Sequence, residues 1–176
     1  MATPKFPSVR IVAAEFDDLL AANRVFAESF ELSGFDGVAH AGVAVVTCMD
    51  SRIDPLGMLG LRPGDAKIFR NPGGRVTQAA LEALVLGVHL LGVERILVVP
   101  HTKCLMASYT EDELRSRVSA SSGQDASWKS FGVIADQVAS LHEDVRKVQT
   151  HPLIPATVSV GGFLYDVDTG LIEQKF

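Results

Sequence analysis

AGVAVVTC, residues 41–48, decides how the rest of the chain is read. The segment from Ala41 to Thr47 is a continuous run of small and β-branched side chains. A strand with one wet face alternates apolar and polar residues, and this one does not, so it is expected to be covered on both faces. Such a strand needs parallel neighbours. DAKIFR (65–70) and RILVV (95–99) supply two candidates, and Ala156 to Tyr165 and Leu171 to Lys175 supply two more, joined by the hairpin signal DVDTG.

Helical patterns alternate with these strands. Thr77 to Leu91 reads as a helix with Thr77 as N-cap and Gly92 as its stop. Thr110 with Glu113 three residues later is a capping box that opens another. After the polar loop SASSGQDAS, Trp128 to Val148 places Phe131, Ile134, Val138, Leu141 and Val145 on one stripe, and Pro152 closes that helix. Ala14 to Phe30 carries Phe16, Leu19, Leu20, Val25, Phe26 and Phe30 at mostly helical spacing, a helix expected to pack on a partner subunit. Strands separated by helices require crossover connections. The expected fold is therefore α/β: about four parallel strands plus an antiparallel edge strand, helices on both faces, and one domain spanning residues 1–176.

Composition narrows the function. With 176 residues, 47% apolar and 21% charged, the chain is a globular domain able to bury a core. A formal charge of −5 gives no electrostatic case for nucleic acid or an anionic membrane. The N-terminal segment has two early prolines and then Glu15, Asp17 and Asp18, unlike a signal peptide. LVLGVHLLGV, from Leu84, is too short to span a bilayer. The expected location is the cytoplasm, where two cysteines far apart in sequence suggest metal binding or catalysis before a disulfide.

In a parallel sheet the chemistry gathers at the carboxyl ends of the strands. Cys48 ends the first strand and opens CMDSR (48–52), Arg70 and Asn71 end the second, and HTKC (101–104) follows the third. Cys48, His101 and Cys104 offer two thiolates and an imidazole, a donor set that suits a borderline-soft divalent ion, zinc above all. Three protein ligands leave a fourth place for water or for Asp50. Other readings stay open on the residues alone: two buried apolar cysteines that never meet, a disulfide, a strand-end histidine, or a closed structural zinc with Asp50 as fourth ligand. RNPGGRV (70–76) is either an anion-binding backbone nest or a plain tight turn. His40, His89, His142 and His151 are packing or surface histidines sooner than proton relays.

These motifs resemble the β-class carbonic anhydrase family: C-x-D-x-R in CMDSR, then RNPGG and its helix, LGVERILVV, H-x-x-C in HTKC, and the closing GGFLYDVDTGLIE. The resemblance implies reversible hydration of carbon dioxide to bicarbonate and a proton, in a homodimer or a dimer of dimers. It implies zinc held by Cys48, His101 and Cys104, and a dyad of Asp50 and Arg52. Zinc acidifies a bound water, Asp50 orients the resulting hydroxide, and Arg52 holds Asp50. With Cys48, Asp50 and Arg52 at alternate positions, an extended segment would aim all three at one centre. Were Asp50 to leave Arg52 for the zinc, the site would close, as in some family members at low pH. Pro72, Pro100, Lys103 and Leu105 depart from the family's usual residues, and Leu105 adds bulk beside the metal. Two alternatives follow: hydrolysis of carbon disulfide or carbonyl sulfide, and a non-catalytic zinc module permanently closed by Asp50.

Overall fold

The computed structural model describes residues 13–176, so the reading of the first twelve residues lies outside the described part. The chain divides into two units, residues 1–35 and 36–176. In the first, a 3-10 turn at Ala13–Phe16 leads into α1 (Asp17–Glu28), which has no buried residue. The single helix expected over 14–30 thus starts as a tighter turn and ends two residues early.

The second unit is built on a five-stranded sheet in the order β2-β1-β3-β4-β5. The strands are β1 (Val43–Cys48), β2 (Ala66–Asn71), β3 (Arg95–Val99), β4 (Ser159–Tyr165) and β5 (Ile172–Gln174). The first four run parallel, and β5 pairs antiparallel with β4 through the DVDTG turn. All six residues of β1 are buried, as its unbroken apolar run requires.

Helices cover both faces. On one, Ala44, Val46, Ile96 and Val98 pack against Ala80 and Leu84 of α2 (Gln78–Leu90) and Leu141, Val145 and Val148 of α4 (Gln137–Gln149). On the other, Val43, Val45 and Val99 meet Leu114 of α3 (Glu111–Ser122) with Ile53, Met106 and Ile134 from loops. The expected caps are in place. Thr77 accepts from Ala80 N–H, and Thr110 and Glu113 form a reciprocal capping box. Gly92, at φ 71°, ends α2.

One long helix expected from Trp128 does not form. Gly132 takes φ 76°, and the backbone N–H groups of Phe131, Gly132 and Val133 donate to the Glu111 carboxylate at 3.0, 2.7 and 3.1 Å. A helix over the same residues would send those donors elsewhere. Residues 128–136 are instead an irregular plug that buries Ile134, and α4 begins only after Asp136, whose side chain accepts from Ala139 N–H.

Candidate metal centre

The parallel register carries the site residues to one edge. Cys48 is the last residue of β1, opposite Asn71 of β2, and β3 ends opposite Thr47, two residues before His101. Thr47 Oγ1 donates to the Val99 carbonyl at 2.7 Å, tying the two strand ends together. His101 continues beside Tyr165 in a single parallel bridge. The chain then turns at Lys103, φ 53°, which returns Cys104 toward Cys48.

Three donors meet there. Cys48 Sγ lies 3.9 Å from Cys104 Sγ, and the donor atoms of Cys48, His101 and Cys104 all lie within 4.8 Å of one another. All three residues are buried and both cysteines are free thiols. The disulfide and the reading of cysteines that never meet are thereby removed, since a disulfide needs about 2.05 Å between sulfurs.

The donor set passes a test of fit to a metal. His101 is fully buried and its Nδ1 lies 2.8 Å from the Thr102 carbonyl, which makes Nδ1 the N–H and leaves Nε2 as a lone pair. Nε2 is the one buried side-chain polar atom among the described residues with no hydrogen-bond partner. A buried orphan of this kind is costly unless something binds it. Two sulfurs on a tetrahedral ion with metal–sulfur bonds of about 2.3 Å sit about 3.8 Å apart, close to the 3.9 Å observed.

The thiols are electrostatically unequal without an ion. Cys48 is pushed down by its hydrogen bond with Cys104, against the cost of burial, with help from His101 and the N–H groups of Asp50 and Gly73. Cys104 is pushed up by the same contact and by burial. Cysteine binds a metal as the thiolate, so a cation at this point would favour losing the protons of both sulfurs.

RNPGGRV turns out to face the Cys48 sulfur. Gly73 and Gly74 have φ of 82° and 64°, and Gly73 N–H donates to Cys48 Sγ at 3.3 Å. A Cβ on Gly74 would stand 2.9 Å from Cys48 N, so only glycine lets this loop approach the strand end. Asn71 shapes the turn, accepting from Arg75 N–H and donating to the Arg75 carbonyl.

Asp50 and Arg52 pair as expected but for a different geometric reason. After Cys48 the chain is not extended: Ile53 N–H donates to the Asp50 carbonyl at 3.1 Å. The turn lets Arg52 N–H and Nε both donate to Asp50 Oδ1, at 3.0 and 2.9 Å, and Nη2 to Oδ2 at 2.8 Å. These bonds hold the Asp50 carboxyl far below the usual carboxylate range. Asp50 Oδ2 is 3.8 Å from His101 Nε2, at the edge of the donor cluster.

Two supports were not anticipated. Arg70 donates to the carbonyls of Cys48 (3.0 Å) and Asp50 (2.6 Å), bracketing the exit of β1, and Arg52 Nη2 reaches the Lys103 carbonyl at 3.2 Å. The position of Arg70 at a strand end was a signal for the first. The second depends on a backbone carbonyl and had none. The other histidines lie elsewhere: His40 bonds Asp36 at 3.0 Å, His89 bonds the Leu153 carbonyl, His151 accepts from Leu153 N–H, and His142 lies against Phe176.

Beside the donors is a cavity of about 310 Å³ lined by Cys48, Met49, Asp50, Pro72, Cys104, Leu105 and Met106. Apart from Asp50 and the sulfurs its walls are apolar, and Met49 and Leu105 are its exposed sides. A small neutral molecule fits such a chamber better than an ion.

Comparison with known proteins is consistent with this geometry. A family model described as carbonic anhydrase matches residues 43–122. β-Carbonic anhydrase 1 of Mycobacterium tuberculosis is 32% identical over 162 residues, covering 90% of this chain and 96% of that protein. A carbon disulfide hydrolase of Saccharolobus solfataricus is also 32% identical, over 172 residues and 84% of each chain. The crystal structure of a carbonic anhydrase from Streptococcus mutans superposes with a TM-score of 0.83 at 35% identity, covering 93% of this chain and 99% of that one.

Proposed function

The chain belongs to the β-class carbonic anhydrase family, and from that premise we propose that it catalyses the reversible hydration of carbon dioxide with a zinc ion held by Cys48, His101 and Cys104. The observation that carries the reading is the convergence of two buried thiols and an orphaned imidazole nitrogen beside a carboxylate locked by arginine. When bound, zinc supplies the Lewis acidity that makes water a nucleophile near neutral pH.

The chain's own groups supply orientation. Asp50, held ionised by Arg52, is a poor base but a strong acceptor. It takes a hydrogen bond from the O–H of the attacking water and turns a lone pair toward the substrate carbon. Arg52 fixes that carboxylate bidentately and is itself fixed by the Lys103 carbonyl. The oxygen–carbon bond forms, one carbon–oxygen π pair moves to oxygen, and a proton leaves to buffer, giving bicarbonate. The apolar walls of Met49, Pro72, Leu105 and Met106 admit the uncharged substrate and favour release of the anion. The pairing of Asp50 with Arg52 supports the open form over a permanently closed module.

The likeness to a carbon disulfide hydrolase favours one second reading, hydrolysis of carbon disulfide or carbonyl sulfide in the same chamber. Stopped-flow assays of the zinc-loaded protein with carbon dioxide and with carbon disulfide separate the two. Hydration of carbon dioxide in large excess over turnover of carbon disulfide supports the first reading, and the reverse supports the second. The same proposal places the protein in the cytoplasm as a homodimer or dimer of dimers, with Leu19, Leu20, Val25 and Phe26 of α1, all exposed, as the face for a second copy. Among the described residues no helix is long and apolar enough to cross a membrane.

A further inference from the structure

His101 leaves the sheet just where β1 ends. The last β1–β3 pair is Thr47 with Val99, so on the side away from β4 no paired strand donates a hydrogen bond to the His101 carbonyl. The Gln137 side chain takes that role: its Nε2 donates to the His101 carbonyl at 2.7 Å. On the other end of the same peptide group, Thr102 N–H donates to the Tyr165 carbonyl at 2.9 Å. The His101–Thr102 peptide is therefore pinned at both ends, once by β4 and once by Gln137. The next carbonyl along, that of Thr102, orients the imidazole through Nδ1.

Gln137 sits on a braced element. It is the first residue of α4, whose N-terminus is capped by Asp136. Two turns later Asp144, 1% exposed, accepts from Arg75 Nε at 2.5 Å and from Val76 N–H at 3.1 Å. Arg75 directly follows the Gly73–Gly74 loop that donates to Cys48. One helix thus fixes both the backbone of His101 and the loop against Cys48.

We infer that Gln137 is a positioning residue for the metal centre, setting the aim of His101 Nε2 through the backbone rather than by touching the ion or the substrate. The inference rests on the metal site proposed above. Partners that orient metal ligands typically influence affinity by about 10–100-fold when removed. Gln137→Met keeps the length of the side chain and its packing but cannot donate. Gln137→Glu keeps the shape and replaces the donor by an acceptor facing the His101 carbonyl.

The test uses the full chain, apo and metal-loaded. Zinc affinity is read by chelator competition, and the cobalt-substituted protein is read by its visible ligand-field bands. Gln137→Met is expected to weaken zinc at least about tenfold and to shift or weaken the cobalt bands, with Gln137→Glu weaker still. Apo-protein melting serves as the control for a purely structural effect. Parent-like zinc affinity and cobalt bands in both variants would overturn the inference while leaving the metal site intact, and so would a fall in melting temperature alone. A parent chain that takes up neither zinc nor cobalt would overturn the metal site and the inference together. If Gln137→Glu does not fold, Gln137→Met decides alone.

Discussion

Asp144 offers a sharp test of how the site is braced. It is the most deeply buried carboxylate among the described residues, and four donors converge on it: Arg75 Nε at 2.5 Å and Nη2 at 3.2 Å, Val76 N–H at 3.1 Å and Lys147 Nζ at 3.0 Å. Replacing it by alanine leaves the Arg75 guanidinium only the exposed Glu143 carboxylate at 3.8 Å and strands the Val76 N–H. Breaking a buried pair in this one-sided way costs about 3–5 kcal/mol. The Arg75 side chain is 23% exposed and Lys147 is 36% exposed, so both can partly rehydrate. That places Asp144→Ala near the low end, about 3 kcal/mol. For a chain of this size the corresponding fall in melting temperature is about 6–12 °C. Urea unfolding of the metal-free protein, followed by circular dichroism, measures it without interference from ligand binding. The double variant Arg75→Met/Asp144→Leu should recover at least about half of the loss, because no charge is then left buried alone. A loss below about 1 kcal/mol for Asp144→Ala, or an Arg75→Met/Asp144→Leu variant less stable than Asp144→Ala, would refute the argument.

Three further outcomes follow. Asp50→Ala should retain zinc, since Asp50 is not among the three converging donors, but lose at least about 10²-fold in carbon dioxide hydration, measured by stopped flow. Gly74→Ala should destabilise the fold by about 1–3 kcal/mol in urea titration, because φ is 64° and the new Cβ meets Cys48 N at 2.9 Å. Glu111 is held down to about 2 by the N–H groups of Phe131 and Val133, then by that of Gly132 and the charge of Arg115. A depressed carboxylate contributes stability that is fully present above its unfolded value near ~4.3 and is lost as pH falls toward the folded value. Melting temperatures of parent and Glu111→Gln should therefore differ most above pH ~5 and converge as the pH is lowered through ~4 to about 2.

The parts legible in sequence were those whose signal is local. The unbroken apolar run of β1, the Thr77 cap, the Thr110–Glu113 box and the stop at Gly92 each specify backbone geometry within a few residues, and each formed as read. The four-parallel-plus-one sheet followed from the spacing of strands and helices. The error over 128–136 had a local cause as well: Phe131 and Ile134 fell on the helical stripe by coincidence, whereas Gly132 and the Asp136 cap marked the true start of α4. The donor set was legible because Cys48 ends β1 and the His101–Cys104 pair follows closely on β3. The turn at Asp50 was not, since alternation in an extended segment predicts the same pairing. The carbonyl of Lys103 acts through main-chain atoms and Gln137 acts on one, which no residue type announces.

The most direct measurement is carbon dioxide hydration as a function of zinc content, from stripped to fully loaded protein, with Cys104→Ser alongside. The account predicts a rate that rises in proportion to zinc until each chain holds one ion, and a Cys104→Ser variant that loses both tight zinc and hydration. A parent chain fully loaded with zinc yet inert toward carbon dioxide, or a rate indifferent to zinc content, would contradict it.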